Sequence, residues 1–433
     1  MMSSPAAAAS NSSEPVQYPL TQSRRRYAFL YSPGWMIAVG LGVRIASLLI
    51  GKSYHVEGHW HFWEMSAIGY SLAVGHGFGS PWGVSTGPTA WTAPLYPFLV
   101  ALIFHVFGLQ THAAALALFT FNSIFSALTS WTLYRIGCRV FNDKVAAISG
   151  WTWALYPYAI FWSVRWIWET TLSTFLLSFL FLLTLEMEGD NRLWSWCRYG
   201  FLWGVVALTN TSILSFLPFA GCWLAYKLYR AGRSFVVPVV LSAIVFWAVI
   251  TPWLARNYVV FHKFIFIRGD FGSELRTGNN ADAKGTWVPI YRAGNNASLL
   301  SRYVQMGEVA FDAEQAQLAK TWIAENPKQF LWLCGLRVYY FWTGWPEDAT
   351  RSFQPFYIAL GMLGWGGLLV AVRRHIHGSF LFASLLVFYP LVYYVVFPTD
   401  RYHHTIEPEL LVLSAWFLLS RRVASGRAVE TPS

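Results

Sequence analysis

The sequence predicts an all-α polytopic membrane protein, and three observations carry that prediction. Of 433 residues, 55% are hydrophobic and only 12% charged, a balance foreign to soluble globular chains. Apolar runs of roughly 18 to 24 residues recur along the chain, the length a helix needs to cross a hydrocarbon core. Lys and Arg concentrate in the short connections between those runs, where they set orientation. The formal charge of +10 therefore indicates contact with membrane lipids and not with nucleic acid. Trp 24, Tyr 22 and Phe 33 supply an interfacial belt, with a surplus in the loops suited to stacking on sugars or lying along a lipid chain.

Residues 1–27 read as a disordered cytosolic tail, rich in Ser, Ala and Pro and ending near Arg24, Arg25 and Arg26. The first span, about 28–50, lacks a small-residue cleavage site and reads as a retained anchor. Further spans are expected near 112–136, 144–163, 168–187, 199–210, 212–229, 234–253, 355–372, 378–398 and 406–420. Two apolar runs, 94–109 and 329–345, are shorter and flanked by Pro or Gly. Treating both as juxtamembrane helices places Arg135/Arg139/Lys144, Arg192/Arg198, Lys227/Arg230/Arg233, Arg373/Arg374 and Arg421/Arg422 on the cytosolic side. Letting both cross turns the clusters between them outward. The expected architecture is one transmembrane domain, 28–420, of about 10–12 helices, followed by a cytosolic tail, 421–433. Its first outer loop is 51–111, and its large outer loop, 254–354, carries a surface amphipathic helix in QMGEVAFDAEQAQLAKTWIAENP. No internal repeat appears, which argues against an inverted-repeat transporter. Cys138, Cys197, Cys222 and Cys334 are scattered, without the spacing of a disulfide frame or a zinc site.

Every segment with chemical potential falls in an outer loop. Glu64, in HFWEMSAIGYSLAVGHGF, is placed to take a proton from an acceptor hydroxyl, or is a solvated loop acid. Glu57 is its rival as a substrate-facing acid. With His55, His59 and His61 it offers a His-x-Glu-x-His-x-His set, and a divalent metal held by Glu64, Glu169, His59 and His61 is the one cofactor the sequence suggests. Glu169, in SVRWIWETT, lies close to hydrocarbon, where an acid needs a partner or a function. Arg165 either pairs with it or binds a phosphate. Arg44, inside the first span, either snorkels to the interface or reaches a lipid phosphate. In 252–280, Arg256, Lys263 and Arg268 stand among Asp270, Glu274, Asn279 and Asn280, which suits both phosphate and hydroxyl ligands or a hydrogen-bonded turn. In TDRYHHTIEPELL, Arg401 is a phosphate fork, flanked by Tyr402, His403 and His404; Glu407 and Glu409 enter the next helix, where capping is an alternative role.

There is no P-loop, no strand-linked GxGxxG and no nucleophile elbow, so an activated donor would have to arrive through the membrane. WEMSAIGYSLAVGHGFGSP with GPTAWTAPLYPFLVALIFHVFG, TPWLARNYVVF with GSELRTGNN, and RYHHTIEPELL together resemble lipid-donor glycosyltransferases of the GT-C fold. The likeness is to the protein O-mannosyltransferase and aminoarabinose-transferase superfamily, over residues 28 to 420. That resemblance implies a polyprenyl-phosphate sugar donor and a catalytic acid in the first outer loop, matched by Glu64. It also implies a second acid between the third and fourth spans, matched by Glu169. Many relatives carry Asp at these places, so both arms are longer here.

The resulting expectation is an inverting glycosyltransferase of the bacterial inner membrane, with cytosolic termini and an extracytoplasmic site. Glu64 and Glu169 are its catalytic candidates. Arg165, Arg256, Arg268 and Arg401 are the donor-phosphate candidates, and Glu57, Glu274, Asn279, Tyr402 and His403 the substrate-binding ones. A protein, glycolipid or polysaccharide hydroxyl is the acceptor. A flippase for lipid-linked sugars and a non-catalytic assembly subunit are the alternatives from other classes.

Overall fold

The computed structural model describes residues 28–56, 58, 60, 64–345 and 351–426, the side chains of 351 and 421–426 excepted. Residues 1–27 and 427–433, and the candidates Glu57, His59 and His61, lie outside the described residues. Among those described the chain is all-α, with an isolated bridge between Gly79 and Pro88 as its extended pairing. The first half holds α1 (Pro33–Ile50), α2 (Glu64–Ala73), α3 (Leu95–Phe107), α4 (His112–Val140), α5 (Asp143–Leu155), α6 (Pro157–Arg165), α7 (Thr170–Glu186), α8 (Leu193–Ala207) and α9 (Leu217–Arg230). The second holds α10 (Val236–Phe261), α11 (Phe271–Gly278), α12 (Ala297–Met306), α13 (Glu308–Glu325), α14 (Pro327–Thr343), α15 (Gln354–Arg373), α16 (Ser379–Phe388), α17 (Leu391–Val395), α18 (Asp400–His404) and α19 (Glu407–Gly426).

Helices α1, α4, α10 and α15 are each long and apolar enough to cross a membrane unaided. Of the other expected spans, 168–187 and 406–420 form the single helices α7 and α19, whereas 144–163, 212–229 and 378–398 are interrupted, and prolines explain two of the breaks. Pro157 splits 144–163 into α5 and α6, and Pro390 splits 378–398 into α16 and α17, because proline cannot donate to the carbonyl four residues back. The run expected at 199–210 is instead α8, followed by a 3-10 helix, Thr211–Phe216, whose start is capped by Asn210 accepting from Ser212 N at 3.1 Å. The short runs 94–109 and 329–345 form α3 and α14. α3 has 13 residues, about 20 Å of helix, less than the roughly 30 Å hydrocarbon core.

α4 is the central post, packed by α1, α3, α5, α6, α7 and α19. α15 lies along α19, and glycine permits the approach: a Cβ at Gly367 would sit 2.1 Å from the Leu413 carbonyl oxygen. Small residues at crossings are how membrane helices gain packing without a hydrophobic drive between them.

The break at Pro157 explains Arg44. Trp153 loses its helical partner to the proline, and the turn at Tyr156 leaves the Ala154 carbonyl open as well. The Arg44 guanidinium fills both, donating to Ala154 O at 2.8 Å and Trp153 O at 3.2 Å, and further to Gly40 O at 2.9 Å and Ser126 Oγ at 2.8 Å. It is fully buried, so it neither snorkels nor reaches a lipid. The charge is kept inside because a broken helix in a membrane needs a donor there.

Charged connections gather at one end of the bundle. Arg135 pairs with Glu186 at 2.6 Å, Lys227 with Glu188 at 2.7 Å and His377 with Glu188 at 2.6 Å, while Arg233 donates to Gly189 O at 2.6 Å. α4 runs from there to the opposite end, where the remaining polar loops meet.

Arg44→Met is expected to cost about 3 kcal/mol, since it strips hydrogen bonds to a charged donor and strands carbonyls in an apolar interior. Arg44→Lys should recover only part, because an ammonium cannot fork across four acceptors. Thermal unfolding of the detergent-purified variants measures both.

Candidate functional site

The end opposite the charged connections is organised around a short extended stretch, Thr89–Trp91, of the first loop. Its local shape begins with Ser80 N donating to Gly87 O at 3.0 Å and Thr89 N to Phe78 O at 3.1 Å. Gly79 faces the Gly87 carbonyl so closely that a Cβ would lie 2.4 Å from its oxygen. Buried irregular backbone must find partners elsewhere, and they come from the 254–354 segment. Arg256 donates to Thr89 O at 2.7 Å and Phe78 O at 2.8 Å, Gly269 N to Ala90 O at 2.9 Å, and Arg268 Nε to Trp91 O at 3.2 Å. From below, the buried Glu308 carboxylate accepts from Thr89 Oγ1, from Ala90 N at 2.5 Å and from Tyr303 OH at 2.5 Å.

That scaffold brings charged side chains from four parts of the chain together. Glu64, at the start of α2 and only 7% exposed, is ion-paired with Arg292. Arg292 sits between the 3-10 turns Pro289–Tyr291 and Ala293–Asn295, its guanidinium 5.5 Å from the Trp82 ring centroid. Glu169 ends the turn between α6 and α7. It is nearly buried, and its Oε2 has no hydrogen-bond partner. The turn is held in place by Asn122 of α4, which donates to Trp166 O at 3.2 Å and accepts from Tyr96 OH at 3.1 Å. Arg401 lies 4.5 Å from the Trp168 ring centroid and donates to Tyr402 OH at 3.0 Å. Arg268 is paired with Asp270.

These groups lie within electrostatic reach of one another. Glu274, on α11, feels Asp270, Arg268 and Arg401, and burial followed by the Asp270 charge pushes its pKa up to about 7. The charges of Glu169 and Glu274 both act on Arg268 and on Arg401, and Tyr402 lies among them. Burial and then the neighbouring Arg401 lower Arg292 to about 10. Three guanidiniums thus meet Glu64, Glu169, Asp270 and Glu274 in a largely dehydrated cluster, an arrangement typical of functional sites. It can hold a phosphate and can take a proton from a hydroxyl.

Of the residues singled out from sequence, Glu64, Glu169, Arg268, Glu274, Arg401 and Tyr402 come together here. Four others stand elsewhere. Arg256 spends its guanidinium on the carbonyls of Thr89 and Phe78 and on Asn257 Oδ1 at 3.0 Å. Asn279 is used within the fold, donating to Leu275 O at 2.9 Å and Val395 O at 3.0 Å while accepting from the buried Arg337. His403 points away from the cluster. With His404 it is bound to the buried Glu407, Nδ1 to carboxylate distances being 3.1 and 2.5 Å. Arg165 is exposed and makes no ion pair with Glu169 among the described residues. α6 ends at Arg165 and α7 begins after Glu169, so the two never share a helix face.

Sequence reasoning does not single out Arg292, Glu308 or Arg337. Arg292 precedes an Ala-Gly-Asn-Asn stretch that reads as a turn, and Glu308 follows a glycine at a helix start, where an acid is explained by the dipole alone. Among the described residues no group of three or more His, Cys, Asp or Glu could hold a metal, and Glu64 is already engaged by Arg292. The histidines proposed as ligands, His59 and His61, lie outside those residues.

Glu308 too is raised to about 7, chiefly by burial. Both it and Glu274 keep their protons in the folded state at a pH where the unfolded carboxyl, near 4.5, has lost them. The stabilisation is complete below about 4.5 and is lost as pH rises through about 7. Thermal unfolding against pH should therefore show a decline across that window, flattened in the Glu274→Gln/Glu308→Gln variant.

No family model matches the sequence, and no curated protein matches it. Solved structures do. The chain is similar to the oligosaccharyltransferase AglB of Archaeoglobus fulgidus in complex with an inhibitory peptide and a dolichol-phosphate, with a TM-score of 0.50 and 14% identity over 95% of this chain and 53% of that one. The apo form of the Archaeoglobus fulgidus oligosaccharyltransferase matches with a TM-score of 0.51, 15% identity and coverage of 92% and 52%. ArnT of Cupriavidus metallidurans bound to undecaprenyl phosphate is more distant, at a TM-score of 0.42 and 13% identity over 92% and 80%. The chain spans about half the length of the archaeal enzyme. At such identities the likeness is one of architecture, and the chain has the GT-C-like, all-α membrane fold of that oligosaccharyltransferase.

Proposed function

We propose that the protein is a membrane glycosyltransferase that moves a sugar from a polyprenyl-phosphate donor to a hydroxyl acceptor, with inversion at the anomeric carbon. The observation that carries this reading is the meeting of two acids, Glu64 and Glu169, with the arginines Arg268 and Arg401. The dolichol-phosphate bound to the archaeal transferase of like fold supports a lipid phosphate as the arginines' ligand. The basic connections at the far end, cytosolic by the positive-inside rule, support cytosolic termini and an extracytoplasmic site in a bacterial inner membrane.

In this reaction the acceptor oxygen attacks the anomeric carbon from the side opposite the phosphate while the Glu64 carboxylate takes its proton. A carbon–oxygen bond forms to the acceptor, and the bond from the anomeric carbon to the phosphate oxygen breaks. The polyprenyl phosphate departs with the electron pair. It is a stable anion, so no strong acid is required, and Arg268 and Arg401 stabilise the charge it gains. The free Oε2 of Glu169 accepts a hydrogen bond from a sugar hydroxyl, and Tyr402 and Glu274, which act on the same Arg268 and Arg401, are the further sugar-binding groups. A protein, a glycolipid or a polysaccharide supplies the acceptor hydroxyl. No step is assigned to a metal. Transport of a lipid-linked sugar has less support, because Arg44 and Asn122 inside the bundle are spent on fixed carbonyls.

Glu64→Gln should lower transfer by about a hundredfold to ten-thousandfold while polyprenyl phosphate still co-purifies, as read by native mass spectrometry in mild detergent. Full activity in that variant would remove Glu64 from the role of base. Arg268→Ala and Arg401→Ala should each lose the co-purifying lipid.

A further inference from the structure

Glu64 is poorly prepared to act as a base in the structure as it stands. Its carboxylate is occupied by a guanidinium, and a general base must be free to reach the proton it removes. Arg292 is that guanidinium, so whatever turns Glu64 into a base must also move Arg292. The cluster contains a reason for it to move. Arg401 lies within electrostatic reach of Arg292, and among the described residues Arg401 forms no ion pair; its contacts are the Trp168 ring and Tyr402. Two guanidiniums within electrostatic reach of each other, one paired and one not, both stand to gain from an incoming phosphate.

The charge balance of the proposed transfer says when that anion would win. Before the reaction the donor phosphodiester carries one negative charge and Glu64 carries another. Afterwards Glu64 holds the acceptor's proton and is neutral, and the departing phosphate monoester carries the second charge. The best partner for Arg292 therefore changes during the reaction. Local structure permits the change. Arg292 hangs between two single 3-10 turns rather than on a long helix, Gly294 lies close against the Trp82 ring, and the Arg292 guanidinium is 5.5 Å from that ring's centroid.

We propose that Arg292 is a partner-switching catalytic cation: it masks Glu64 until the lipid phosphate enters between Arg292 and Arg401, and it then follows the negative charge onto the leaving phosphate. This rests on the glycosyltransferase reading above. It assigns to Arg292 both the suppression of an idle base and part of the leaving-group stabilisation, and it makes donor binding the step that arms Glu64.

The test is a double-mutant cycle on the binding of undecaprenyl phosphate to the full chain in detergent, with thermal unfolding of each variant as the check on folding. Glu64→Gln removes the competitor for Arg292 and should tighten binding about tenfold, or about 1.4 kcal/mol. Arg292→Gln should weaken binding, and in that background Glu64→Gln should change affinity by less than about twofold. Arg292→Lys, which keeps the charge but not the fork, should give an intermediate response to Glu64→Gln and keeps the test valid if the Gln variant unfolds. Unchanged affinity in Glu64→Gln, or equal tightening with and without Arg292, would overturn the switch and leave the transferase reading standing. Absence of undecaprenyl phosphate binding by the wild-type chain would overturn both.

Discussion

The rest of the site depends on one constraint: the extended backbone of Thr89–Trp91 is buried, and its three carbonyls and the Ala90 amide are satisfied by groups far away in sequence. Arg256, Gly269, Arg268 and Glu308 do this from the 254–354 segment. An unmade hydrogen bond in such surroundings costs more than a made one contributes, so the contacts act as an alignment device. They bring the large loop onto the first loop in one register. Because Arg268 is both a strut for Trp91 and the partner of Asp270, the scaffold and the charged cluster share a residue. A change that loosened the strut would therefore move the cluster as well.

Charge in this cluster is kept close to balance without being fully paired. Asp270 answers Arg268 and Glu64 answers Arg292, while Arg401 rests on aromatic faces and Glu169 keeps a free oxygen. An unpaired cation and an unpaired acid in a dehydrated space cost stability unless something enters to complete them. Aromatic faces are the compromise available to Arg401, since stacking tolerates a guanidinium and still leaves its edge donors in place. Glu274 offers a second accommodation: with its pKa near 7 it can shed or keep a charge as the surroundings change.

Inside the bundle the same physics gives a different result. Arg44 and the His403–Glu407–His404 unit are as buried as the site residues, yet they are tied to fixed partners. His404 stacks on Trp153 at 5.4 Å, the residue whose carbonyl accepts a hydrogen bond from Arg44. The rings of His403 and Tyr357 are 3.9 Å apart. These groups pin α18 to the bundle from behind. Consecutive pairs of residues on that short helix thereby serve different sides: Arg401 and Tyr402 enter the cluster, and His403 and His404 anchor it.

Length and apolar content alone determined the class of fold and the places of most helices, because a bilayer core demands a fixed span and excludes unpaired backbone. Pro157 and Pro390 carry their breaks in plain view, and Glu64, Glu169, Arg268, Glu274, Arg401 and Tyr402 are legible as charged or polar side chains in loops between apolar runs. Which of the polar residues would face one another was not legible. Arg256 and Arg268 lie 12 positions apart and look alike in sequence, yet one, at the end of α10, closes a backbone turn and the other also reaches the charged cluster. His403 and Tyr402 are neighbours, and one helical step of about 100° sends them to different sides. Arg292 sits in a stretch whose composition signals only a turn, and nothing local marks it as the partner of Glu64. Local pattern records what each segment must bury, whereas the pairing of charges depends on distances between segments more than 200 residues apart, and only the packed tertiary structure sets those.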